Sequence, residues 1–485
     1  MASKFDYDLF VIGSGPAGQR ASIQGSKLGK RVALAERKSV VGGLQINTGT
    51  IPSKTLREAV LYLSGYRLRE VYGVSYSVKQ DISISDLLFR TDHVVRHELD
   101  VTKHQLLRNG VELITAEASF VDANTLRLSA VTDGGHRTVT SEKVVVATGT
   151  MATRDPNIAF DGKRILASDD IPKLESIPKS VAVVGAGVIG SEYASMFAAL
   201  GVRVTLIDKR ERLLDFIDAE IVDTLAYHLR ENRVRLRLGE EVTAIEPIET
   251  NLGEQVRIHL ASGKKLTSEQ ALYSIGRTGA TKELNLESVG LEPDDRGRLV
   301  VNDNYQTEIP NIYAVGDVIG FPSLASTSLE QGRLAASHAF GVETESIPEL
   351  FPYGIYTIPE ISIVGKNEQE LTQAGVPYEV GKARYREIAR EQIIGDSSGL
   401  LKLIFHHGTG ELLGAHIIGE GASELIHIGQ AVMAFGGNIQ YFIDTVFNYP
   451  TLAEAYKTAA FDGVNRMGSP SDTISLRPMG KEASN

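Results

Sequence analysis

One local plan occurs twice in this chain of 485 residues, and it constrains the fold more than any other feature. Residues 7–36 and 180–208 each contain a short apolar strand, the pattern Gly-x-Gly-x-x-Gly, a helix of small residues and a second strand that ends in a carboxylate. The carboxylate is Glu36 in the first copy and Asp208 in the second, and each lies 23 positions after the first glycine of its own pattern. This order of elements predicts two Rossmann-like dinucleotide-binding units.

Each residue of the pattern has a physical role toward a dinucleotide. The first glycine allows a tight turn, the second lets a pyrophosphate approach the backbone, and the third lets the helix pack closely on the strand. The helix N-terminus then faces the anion, and the acid accepts hydrogen bonds from the adenosine ribose. Two sites imply two dinucleotides and hydride transfer between them; a unit that binds nothing is the alternative. The candidate glycines are Gly13, Gly15 and Gly18 in the first copy and Gly185, Gly187 and Gly190 in the second.

Two further stretches supply strands to these units. Residues 144–150 read VVVATGT, which predicts a buried strand that ends at Gly149. Residues 307–320 contain the apolar strand IYAV, which leads into Gly316 and Asp317. A carboxylate at the carboxyl end of a sheet strand lies where doubly wound folds bind ligands, so Asp317 is a candidate binding residue. The N-cap of the next helix is its alternative role.

The order of these elements predicts an α/β protein in which the second nucleotide domain is inserted into the first. The SIGRTG stretch, with Gly276 and Arg277, closes the second unit. Beyond about residue 351, a hairpin pattern and two amphipathic helices indicate an α+β unit, and the polar end of the chain indicates disorder. The predicted domains are the first part of one nucleotide domain at 1–150, a second nucleotide domain at 151–280, the completion of the first at 281–350, an interface domain at 351–470 and a disordered tail at 471–485.

Charge and hydropathy exclude several kinds of partner. Asp and Glu outnumber Lys and Arg by 61 to 50, so the net charge is −11 and no overall field attracts nucleic acid or anionic lipid. No apolar run approaches the ~18 residues that span a bilayer, and the first residues enter a strand without a signal-peptide pattern. We therefore expect a cytoplasmic protein with no membrane or nucleic-acid partner. The 11 His residues form no convincing metal-ligand spacing, so no metal site is predicted.

The chain contains no cysteine. This absence removes disulfides, thiolate nucleophiles, zinc–thiolate sites and iron–sulfur clusters together. Any reaction that requires a thiol of this chain is therefore excluded.

Several motifs together resemble the flavoprotein pyridine nucleotide-disulfide oxidoreductases, the family of lipoamide dehydrogenase and glutathione reductase. The resemblance covers residues 5–467 and rests on both glycine patterns, on GGLQINTGTIPSK at 42–54, and on the motifs VVVATG, SIGR, IYAVGD and NYPTLAEAY. It implies that the first glycine pattern and Asp317 bind FAD and that the second pattern binds a nicotinamide nucleotide. It further implies that the C-terminal domain forms a homodimer or a higher homo-oligomer. The implied fold is an FAD domain, an NAD(P) domain and an α+β dimerisation domain.

The residues that react with thiols in that family are replaced here. Its redox-active disulfide would fall at Gln45 and Thr50, and its catalytic histidine would fall at Tyr449, whereas its glutamate is retained as Glu454. Gln45 and Thr50 cannot exchange with a disulfide, and a phenol is a poor base at neutral pH. Thiol and disulfide substrates are therefore excluded, and hydride transfer between flavin and nicotinamide remains. Tyr449 and Glu454 stay candidate catalytic residues, with a packed interface tyrosine as the alternative for Tyr449.

One branch of the family is built in this way, the flavin-dependent pyridine nucleotide transhydrogenases. The chain resembles it in TIPSK, YAVGDVIGFPSLA, GIYTIPEIS and FNYPTLAEAY, although the branch often carries one cysteine at the position of Gln45. The resemblance implies an FAD-dependent, Si-specific NAD(P)⁺ transhydrogenase that catalyses NADPH + NAD⁺ ⇌ NADP⁺ + NADH. The alternatives are a thiol-free NAD(P)H oxidase or quinone reductase, and a non-catalytic protein that binds FAD and NAD(P) as a sensor.

The same resemblance implies roles for individual residues. Lys54 lies beside the flavin and pairs with Glu192 of the second glycine-pattern helix, so that its cation stabilises negative charge on the flavin. A surface lysine and a helix-face glutamate are the alternative. Glu36 binds the FAD ribose. The further candidates are Arg37, Gly42, Gly43, Gly149 and Asp317 for FAD, and Asp208, Lys209, Arg210, Gly276 and Arg277 for the nicotinamide nucleotide.

The loop after the second acid predicts a site that accepts both NAD(H) and NADP(H). Asp208 can accept hydrogen bonds from a ribose 2′-hydroxyl, which favours NAD. Lys209, Arg210 and Arg212 follow within four positions, and an arginine can bind a 2′-phosphate through two hydrogen bonds. A solvated basic turn is the alternative. Residues 211–232 are predicted to form one helix with a charged, solvated face.

Overall fold

Short runs of Val, Ala, Leu and Ile form the centres of the sheets in a computed structural model of this chain. The structure describes residues 4–73, 75–130, 134–251, 253–344, 350–395 and 398–467. The predicted disordered tail at 471–485 lies outside these residues. Within them, no helix is both long enough and apolar enough to cross a membrane.

The strands and helices are numbered in chain order. The strands are β1 (Tyr7–Ile12), β2 (Val32–Glu36), β3 (Glu112–Phe120), β4 (Thr125–Ala130), β5 (His136–Val146), β6 (Thr150–Ala152), β7 (Ile165–Ala167), β8 (Ser180–Val184), β9 (Arg203–Asp208), β10 (Arg235–Leu238), β11 (Val242–Thr250), β12 (Gly253–Leu260), β13 (Lys265–Ser268), β14 (Gln270–Tyr273), β15 (Arg277–Gly279), β16 (Ile312–Ala314), β17 (Tyr353–Ile355), β18 (Ile361–Gly365), β19 (Tyr378–Arg384), β20 (Leu400–His406) and β21 (Leu412–Ile418). The α-helices are α1 (Pro16–Lys27), α2 (Gly43–Asn47), α3 (Thr50–Leu63), α4 (Arg69–Tyr72), α5 (Ile84–Arg108), α6 (Val188–Ala199), α7 (Ala219–Glu231), α8 (Ala325–Ala339), α9 (Glu368–Ala374), α10 (Ala389–Ile394), α11 (Ala422–Ala434), α12 (Gln440–Asp444) and α13 (Glu454–Arg466).

The first sheet takes strands from both sides of the second nucleotide unit. Its parallel part runs in the order β3–β2–β1–β5–β16, and β3, β4 and β5 extend from it as an antiparallel meander. The central strand β5 ends in Val144, Val145 and Val146, which are fully buried between β1 and β16. Because both faces of such a strand are covered, its sequence is a continuous apolar run rather than an alternating one.

Two helices from the two ends of this unit cover one face of the sheet. Helix α1 follows β1, and α8 follows β16, and they pack at close range. A Cβ at Gly332 of α8 would lie 2.0 Å from the carbonyl oxygen of Ala17 in α1, so a larger residue at that position would push the helices apart. This contact holds α8 against α1, the helix that follows the first glycine turn.

The second sheet is parallel throughout, in the order β10–β9–β8–β14–β7. Strands β11–β13 form a separate antiparallel sheet within the same part of the chain. The two segments that lead into and out of this unit pair with each other, β6 with β15, through Thr150 opposite Gly279 and Ala152 opposite Arg277. The second unit is therefore joined to the first through a short antiparallel pair.

The C-terminal unit is an antiparallel sheet in the order β17–β18–β21–β20–β19. Helices α11 and α13 pack on it, and the predicted hairpin corresponds to β20 and β21. Together the three units confirm the predicted fold class, two Rossmann-like units and an α+β unit. The domain boundaries stay a prediction.

The prediction of one helix over residues 211–232 is wrong for its first third. Helix α7 begins at Ala219, because Asp218 caps it and accepts a hydrogen bond from the amide of Glu220 at 3.1 Å. Leu214 has a φ of 41°, a value outside the right-handed helical region. Residues 209–218 therefore form a loop between β9 and α7, which we call the acid–base loop.

Candidate functional site

The first glycine pattern forms a turn that excludes side chains at two of its glycines. A Cβ at Gly13 would lie 2.4 Å from the carbonyl oxygen of Ala147, and a Cβ at Gly18 would lie 1.9 Å from that of Gly13. Among the described residues, no heavy atom lies within 4 Å of a Cβ built at Gly15. An anion can therefore approach the backbone at Gly15, where the amides at the start of α1 face it.

Ser14 connects the first acid to the glycine-rich segment that follows. Its Oγ donates to Oε2 of Glu36 and accepts from the amide of Gly42 at 3.0 Å, and its own amide donates to the same Oε2 at 3.2 Å. The amide of Lys38 donates to Oε1 of Glu36 at 2.9 Å. The carboxylate is thereby fixed at the carboxyl end of β2, where an adenosine ribose lies in a dinucleotide fold.

The other residues predicted around the first nucleotide lie near this turn. A Cβ at Gly43 would lie 2.7 Å from the Cα of Gly15, so the segment at 42–43 passes very close to the glycine turn. Arg37 is exposed and its Nη2 lies 3.7 Å from Sδ of Met151. Gly149 follows β5 with a φ of 66°, at the same end of the sheet.

Asp317 lies just after β16, at the carboxyl end of the first sheet. Its Oδ2 lies 3.4 Å from Oγ1 of Thr150, which itself accepts a hydrogen bond from Nε of Arg277 at 2.9 Å. Arg277 directly follows Gly276 and pairs with Asp169 at 3.0 Å. Burial raises the pKa of the Asp317 carboxyl above its usual range. The Asp317 carboxyl is half-buried, and its oxygens are suited to accept hydrogen bonds from the hydroxyls of a ligand.

The second glycine pattern repeats this geometry. A Cβ at Gly185 would lie 2.6 Å from the carbonyl oxygen of Ser274, and a Cβ at Gly190 would lie 1.8 Å from that of Gly185. At Gly187, the nearest heavy atom to a built Cβ is Nη2 of Arg210, at 3.9 Å. The space above this glycine is therefore bordered by a cation, which the first site lacks at Gly15 among the described residues.

Asp208 and Arg210 form a two-point ion pair at the end of β9. Nε of Arg210 lies 3.0 Å from Oδ1 of Asp208, and Nη2 lies 2.9 Å from Oδ2, which also accepts from the amide of Ala186 at 2.6 Å. Burial by itself raises the pKa of Asp208, but the hydrogen bonds from Arg210 and the two backbone amides outweigh it and lower the pKa. The same pair raises the pKa of Arg210. Both groups are therefore charged at neutral pH.

The three predicted cations of the acid–base loop do not point to one place. Arg210 also contacts Asp215, through Nη1 at 2.9 Å. Arg212 turns toward α7, where its Nη2 lies 3.7 Å from Asp223. Lys209 is exposed. Of the three, Arg210 is the one whose guanidinium lies both at the acid and beside the glycine turn.

Lys54 and Glu192 meet between the two nucleotide units. Nζ of Lys54, on α3, lies 2.9 and 2.7 Å from the two carboxylate oxygens of Glu192, on α6. The Glu192 side chain is 4% exposed and that of Lys54 is 27% exposed. Tyr356 of the C-terminal unit completes the cluster, because its amide donates to Glu192 at 2.8 Å and its ring centroid lies 4.8 Å from Nζ of Lys54. The ammonium is thus held by a carboxylate and an aromatic face at once.

The loop that carries Tyr356 is anchored on both nucleotide units. Buried Arg57 of α3 donates to the carbonyl of Thr357 at 3.0 Å and lies 3.3 Å from Glu360. On the other side, Oγ of Ser195 in α6 accepts from the amide of Ile358 at 3.0 Å. These contacts fix the relative positions of α3, α6 and the loop, and so the place of Lys54.

The remaining predicted catalytic residues lie on the C-terminal unit. Tyr449 is 74% exposed, and Glu454 is the first residue of α13. Phe435 and Val446 of the same unit are 84% and 90% exposed. A contiguous patch of such side chains marks a surface that packs against another protein, whereas single ones are ordinary on a protein surface.

One group of carboxylates within the described residues has oxygens close enough together to hold a metal ion: Asp218, Glu220 and Glu368. The ammonium of Lys402 already lies among them, at 2.8 Å from Asp218 and 3.2 Å from Glu220, and it also pairs with Glu368. The cluster is therefore an ion-pair network in which the buried ammonium of Lys402 occupies the position that a metal ion would take.

Sequence reasoning does not single out several contributors to the site, among them Ser14, Tyr356 and Asp215. Ser14 lies inside the glycine pattern, and Tyr356 lies inside the motif GIYTIPEIS. Their positions within these motifs could therefore have identified both residues as candidates. Asp215 lies in the loop that was predicted to be helical, and nothing in its spacing from Arg210 indicates a contact.

The comparisons with known proteins agree with this architecture. Residues 7–332 match the family model described as pyridine nucleotide-disulphide oxidoreductase, and residues 351–460 match the model of that family's dimerisation domain. The chain therefore belongs to the pyridine nucleotide-disulphide oxidoreductase family, as the motifs predicted.

Curated relatives extend the similarity over nearly the whole chain. A soluble pyridine nucleotide transhydrogenase of Mycobacterium bovis is 54% identical over 463 residues, which cover 95% of this chain and 98% of the relative. The soluble pyridine nucleotide transhydrogenase of Colwellia psychrerythraea is 48% identical over 473 residues, or 96% and 100% of the two chains. Among solved structures, the HOCl-induced flavoprotein disulfide reductase RclA of Escherichia coli is 28% identical with a TM-score of 0.84, over 94% of this chain and 99% of that one.

Proposed function

We propose that this protein is an FAD-dependent, Si-specific NAD(P)⁺ transhydrogenase that catalyses NADPH + NAD⁺ ⇌ NADP⁺ + NADH. The observation that carries the proposal is the Lys54–Glu192 pair, whose oxygen–nitrogen distances are 2.7 and 2.9 Å, between two dinucleotide units that have no thiol at Gln45 or Thr50. The chain keeps the two dinucleotide units of a flavin reductase, but it lacks the two cysteines that disulfide exchange requires. The names of the curated relatives support the same reaction.

The first nucleotide unit fits FAD. The open backbone at Gly15 suits a pyrophosphate, Glu36 suits the adenosine ribose, and half-buried Asp317 suits the ribityl hydroxyls. We assign Gly13, Gly18, Arg37, Gly42, Gly43 and Gly149 to the same site. Bound FAD supplies the group that accepts a hydride from one nicotinamide nucleotide and donates it to another.

Lys54 supplies a fixed positive charge beside the reacting centre. Its ammonium is aligned by Glu192 and Tyr356, and a charge held in place in this way stabilises negative charge that develops next to it with little reorganisation. Glu192, 4% exposed, balances the lysine when no other negative charge is near. The pair thus keeps the cation in place while one nucleotide leaves and the other enters.

The second nucleotide unit fits both forms of the substrate. Gly185, Gly187 and Gly190 form its turn, and Asp208 suits a ribose 2′-hydroxyl whereas Arg210 suits a 2′-phosphate. Because the two side chains already pair, each neutralises the other while the opposite substrate is bound. We assign Lys209, Gly276 and Arg277 to the rim of this site.

The C-terminal unit is proposed to form the homodimer. The match to the family's dimerisation domain and the exposed Tyr449, Phe435 and Val446 support this assignment. We further propose that Tyr449 and Glu454 act at the partner's site, as the family's histidine and glutamate do. The relatives are named as soluble enzymes, which supports a cytoplasmic location for this chain.

A hydride-transfer assay under anaerobic conditions tests the function. We expect FAD-loaded protein to be bleached by NADPH without a long-wavelength thiolate–flavin band, since the chain has no cysteine. Adding an NAD⁺ analogue with a distinct absorbance should restore the flavin colour and produce the reduced analogue in equal amount. Faster reoxidation by oxygen or a quinone than by the analogue would favour the oxidase or reductase alternative. A protein that binds FAD but is not bleached would favour a sensor.

We expect Arg210→Ala to weaken NADP(H) binding by about 10- to 100-fold, the size of a lost charged hydrogen bond of about 1.5–3 kcal/mol. NAD(H) should change far less, because Asp208 keeps its place through the amide of Ala186. Asp208→Asn should shift the preference toward NADP(H), because it should weaken the binding of NAD(H) by roughly 1–2 kcal/mol. Dissociation constants for the four nucleotides, measured on the FAD-loaded protein, check both.

Arg212→Ala is the matched control for this prediction. It removes the same charge from the same loop, but its guanidinium lies at Asp223 rather than at Asp208. We expect a small and equal effect on NADPH and NADH. If Arg210→Ala weakens both nucleotides equally, the assignment of dual specificity to Arg210 is wrong.

A further inference from the structure

Arg210 is held between two carboxylates rather than by one. Nε and Nη2 donate to Asp208 at 3.0 and 2.9 Å, and Nη1 donates to Asp215 at 2.9 Å. A guanidinium has five N–H donors, so the contacts among the described residues use three of them. The second carboxylate belongs to the acid–base loop and contacts Nη1, the terminal nitrogen that does not contact Asp208.

The two acids differ in what else they can do. Asp208 is 7% exposed and is fixed by the amide of Ala186, so it belongs to the nucleotide site itself. The Asp215 side chain is 54% exposed, and its contact is with the far terminal nitrogen of Arg210. With both acids present, the local charge of the three side chains is −1, which opposes the approach of a doubly charged 2′-phosphate.

We propose that Asp215 is a positioning residue that sets the preference of this site between NADP(H) and NAD(H), an inference that rests on the proposed function. It holds the guanidinium of Arg210 through one N–H of Nη1, and its negative charge lies beside the two N–H groups that remain for a 2′-phosphate, so it opposes the binding of that phosphate. A 2′-hydroxyl makes no such demand, because it needs an oxygen of Asp208. Asp215 therefore weakens the binding of NADP(H) and leaves the binding of NAD(H) nearly unchanged.

This arrangement suits an enzyme that must release both nucleotides from one pocket. A free arginine would favour the 2′-phosphate strongly, and the product NADP⁺ would leave slowly. The negative charge of Asp215 lowers that affinity while the arginine stays in place. The charge of an exposed pair is screened by salt, so the effect is sensitive to ionic strength.

The test measures binding of two fragments to FAD-loaded protein by calorimetry. Adenosine 2′,5′-bisphosphate carries the 2′-phosphate, and 5′-AMP lacks it. For Asp215→Asn we expect the bisphosphate to bind about three- to tenfold more tightly and 5′-AMP to stay within about twofold, the range of a modest exposed charge interaction. The difference should shrink at 0.5 M salt, where the Debye length is about 4 Å. Asp215→Glu should restore the original ratio in large part.

Asp223→Asn is the matched control, because Asp223 is 77% exposed and pairs with Arg212 instead. It should leave the ratio of the two affinities unchanged. An unchanged ratio in Asp215→Asn, or an equal gain in both variants, overturns the inference, since the effect would then be absent or due to general charge. Hydride transfer from NADPH to the NAD⁺ analogue by the unsubstituted protein is measured in parallel, and its failure would instead overturn the proposed function.

Discussion

Replacing Lys54 by methionine is expected to slow reduction of the bound flavin by about 30- to 900-fold. This range corresponds to the roughly 2–4 kcal/mol that a preorganised charge contributes at a reacting centre. The variant lacks the ammonium that lies 2.7 Å from Glu192 and over the ring of Tyr356. FAD should stay bound, because the residues assigned to it lie on other elements. Anaerobic stopped-flow measurements with NADPH and with NADH give the rate constants.

Two further variants separate the lost cation from the carboxylate it leaves behind. In Lys54→Met, Glu192 loses its ion-pair partner; its side chain is 4% exposed in the unsubstituted protein, and an unpaired buried charge is itself costly. The double variant Lys54→Met/Glu192→Gln removes that charge, and we expect it to stay slow. Glu192→Gln alone should have a smaller effect, because it loosens the lysine rather than removing it. Recovery of the full rate in the double variant would contradict a role for the cation.

The fold followed from the sequence because its strongest constraints are local. Gly13, Gly18, Gly185 and Gly190 each lie so close to backbone oxygens that a Cβ has no space, and that requirement leaves a readable pattern in the chain. The continuous apolar run at Val144–Val146 likewise reports a strand covered on both faces. Such features depend on a few neighbouring residues, so no knowledge of distant contacts is needed.

The acid–base loop shows where the same reasoning fails. Leu213, Leu214 and Ile217 are 1%, 0% and 3% exposed, and their spacing imitates the apolar stripe of a helix. Tertiary packing buries them while the backbone turns, and Asp218 starts the helix later. The pairing of Arg210 with Asp208 and Asp215 depends on that turn, so the sequence could supply the cation and the acids but not their contact.

In the candidate centre, too, some features could be predicted from the sequence and others could not. Lys54 and Glu192 are 138 positions apart, and only the family resemblance related them before the structure placed them at 2.7 Å. The contact of Tyr356 with both was not predicted, because it depends on how a loop of the C-terminal unit docks between α3 and α6. Side-chain pairing across three units is a tertiary property, and neither periodicity nor spacing encodes it.

Lys402→Met is expected to destabilise the protein by about 3–5 kcal/mol, the usual effect of removing one partner of a buried ion pair. Lys402 of β20 and Asp218 at the start of α7 are both fully buried, and their side chains lie 2.8 Å apart. Burial lowers the pKa of Lys402, but the hydrogen bonds that its ammonium donates to Asp218 and Glu368 outweigh it and raise the pKa. Without the ammonium, those two carboxylates have lost their shared cation. Thermal unfolding at pH 7, followed by far-UV circular dichroism, measures the loss.

The contribution of this network to the stability of the fold is expected to be lost at both low and high pH. Burial raises the pKa of Asp218, but the hydrogen bond and charge of Lys402 outweigh it, and the pKa in the folded state is lowered. Its contribution is therefore present above the unfolded-state value of about 3.9 and is lost as the pH falls through the folded-state pKa. The raised pKa of Lys402 gives a contribution that is present below about pH 10.4 and is lost as the pH rises through the folded-state pKa. The difference between the unsubstituted protein and Lys402→Met should thus be largest between about pH 5 and 9.

Lys382→Met is the control that makes the result specific to burial. Lys382 donates to Glu220 at 2.8 Å in the same network, but its side chain is 29% exposed, so its loss should lower stability by less than about 1 kcal/mol. The double variant Lys402→Met/Asp218→Asn should recover part of the loss, because it removes one carboxylate that the first substitution leaves unpaired. The network joins α7 of the second nucleotide unit to β20 and α9 of the C-terminal unit, whereas Lys54 and Glu192 lie on α3 and α6. The folded fraction of FAD-loaded Lys402→Met at 25 °C should therefore still be reduced at the normal rate. Equal losses in Lys402→Met and Lys382→Met would show that burial of the lysine does not stabilise this junction.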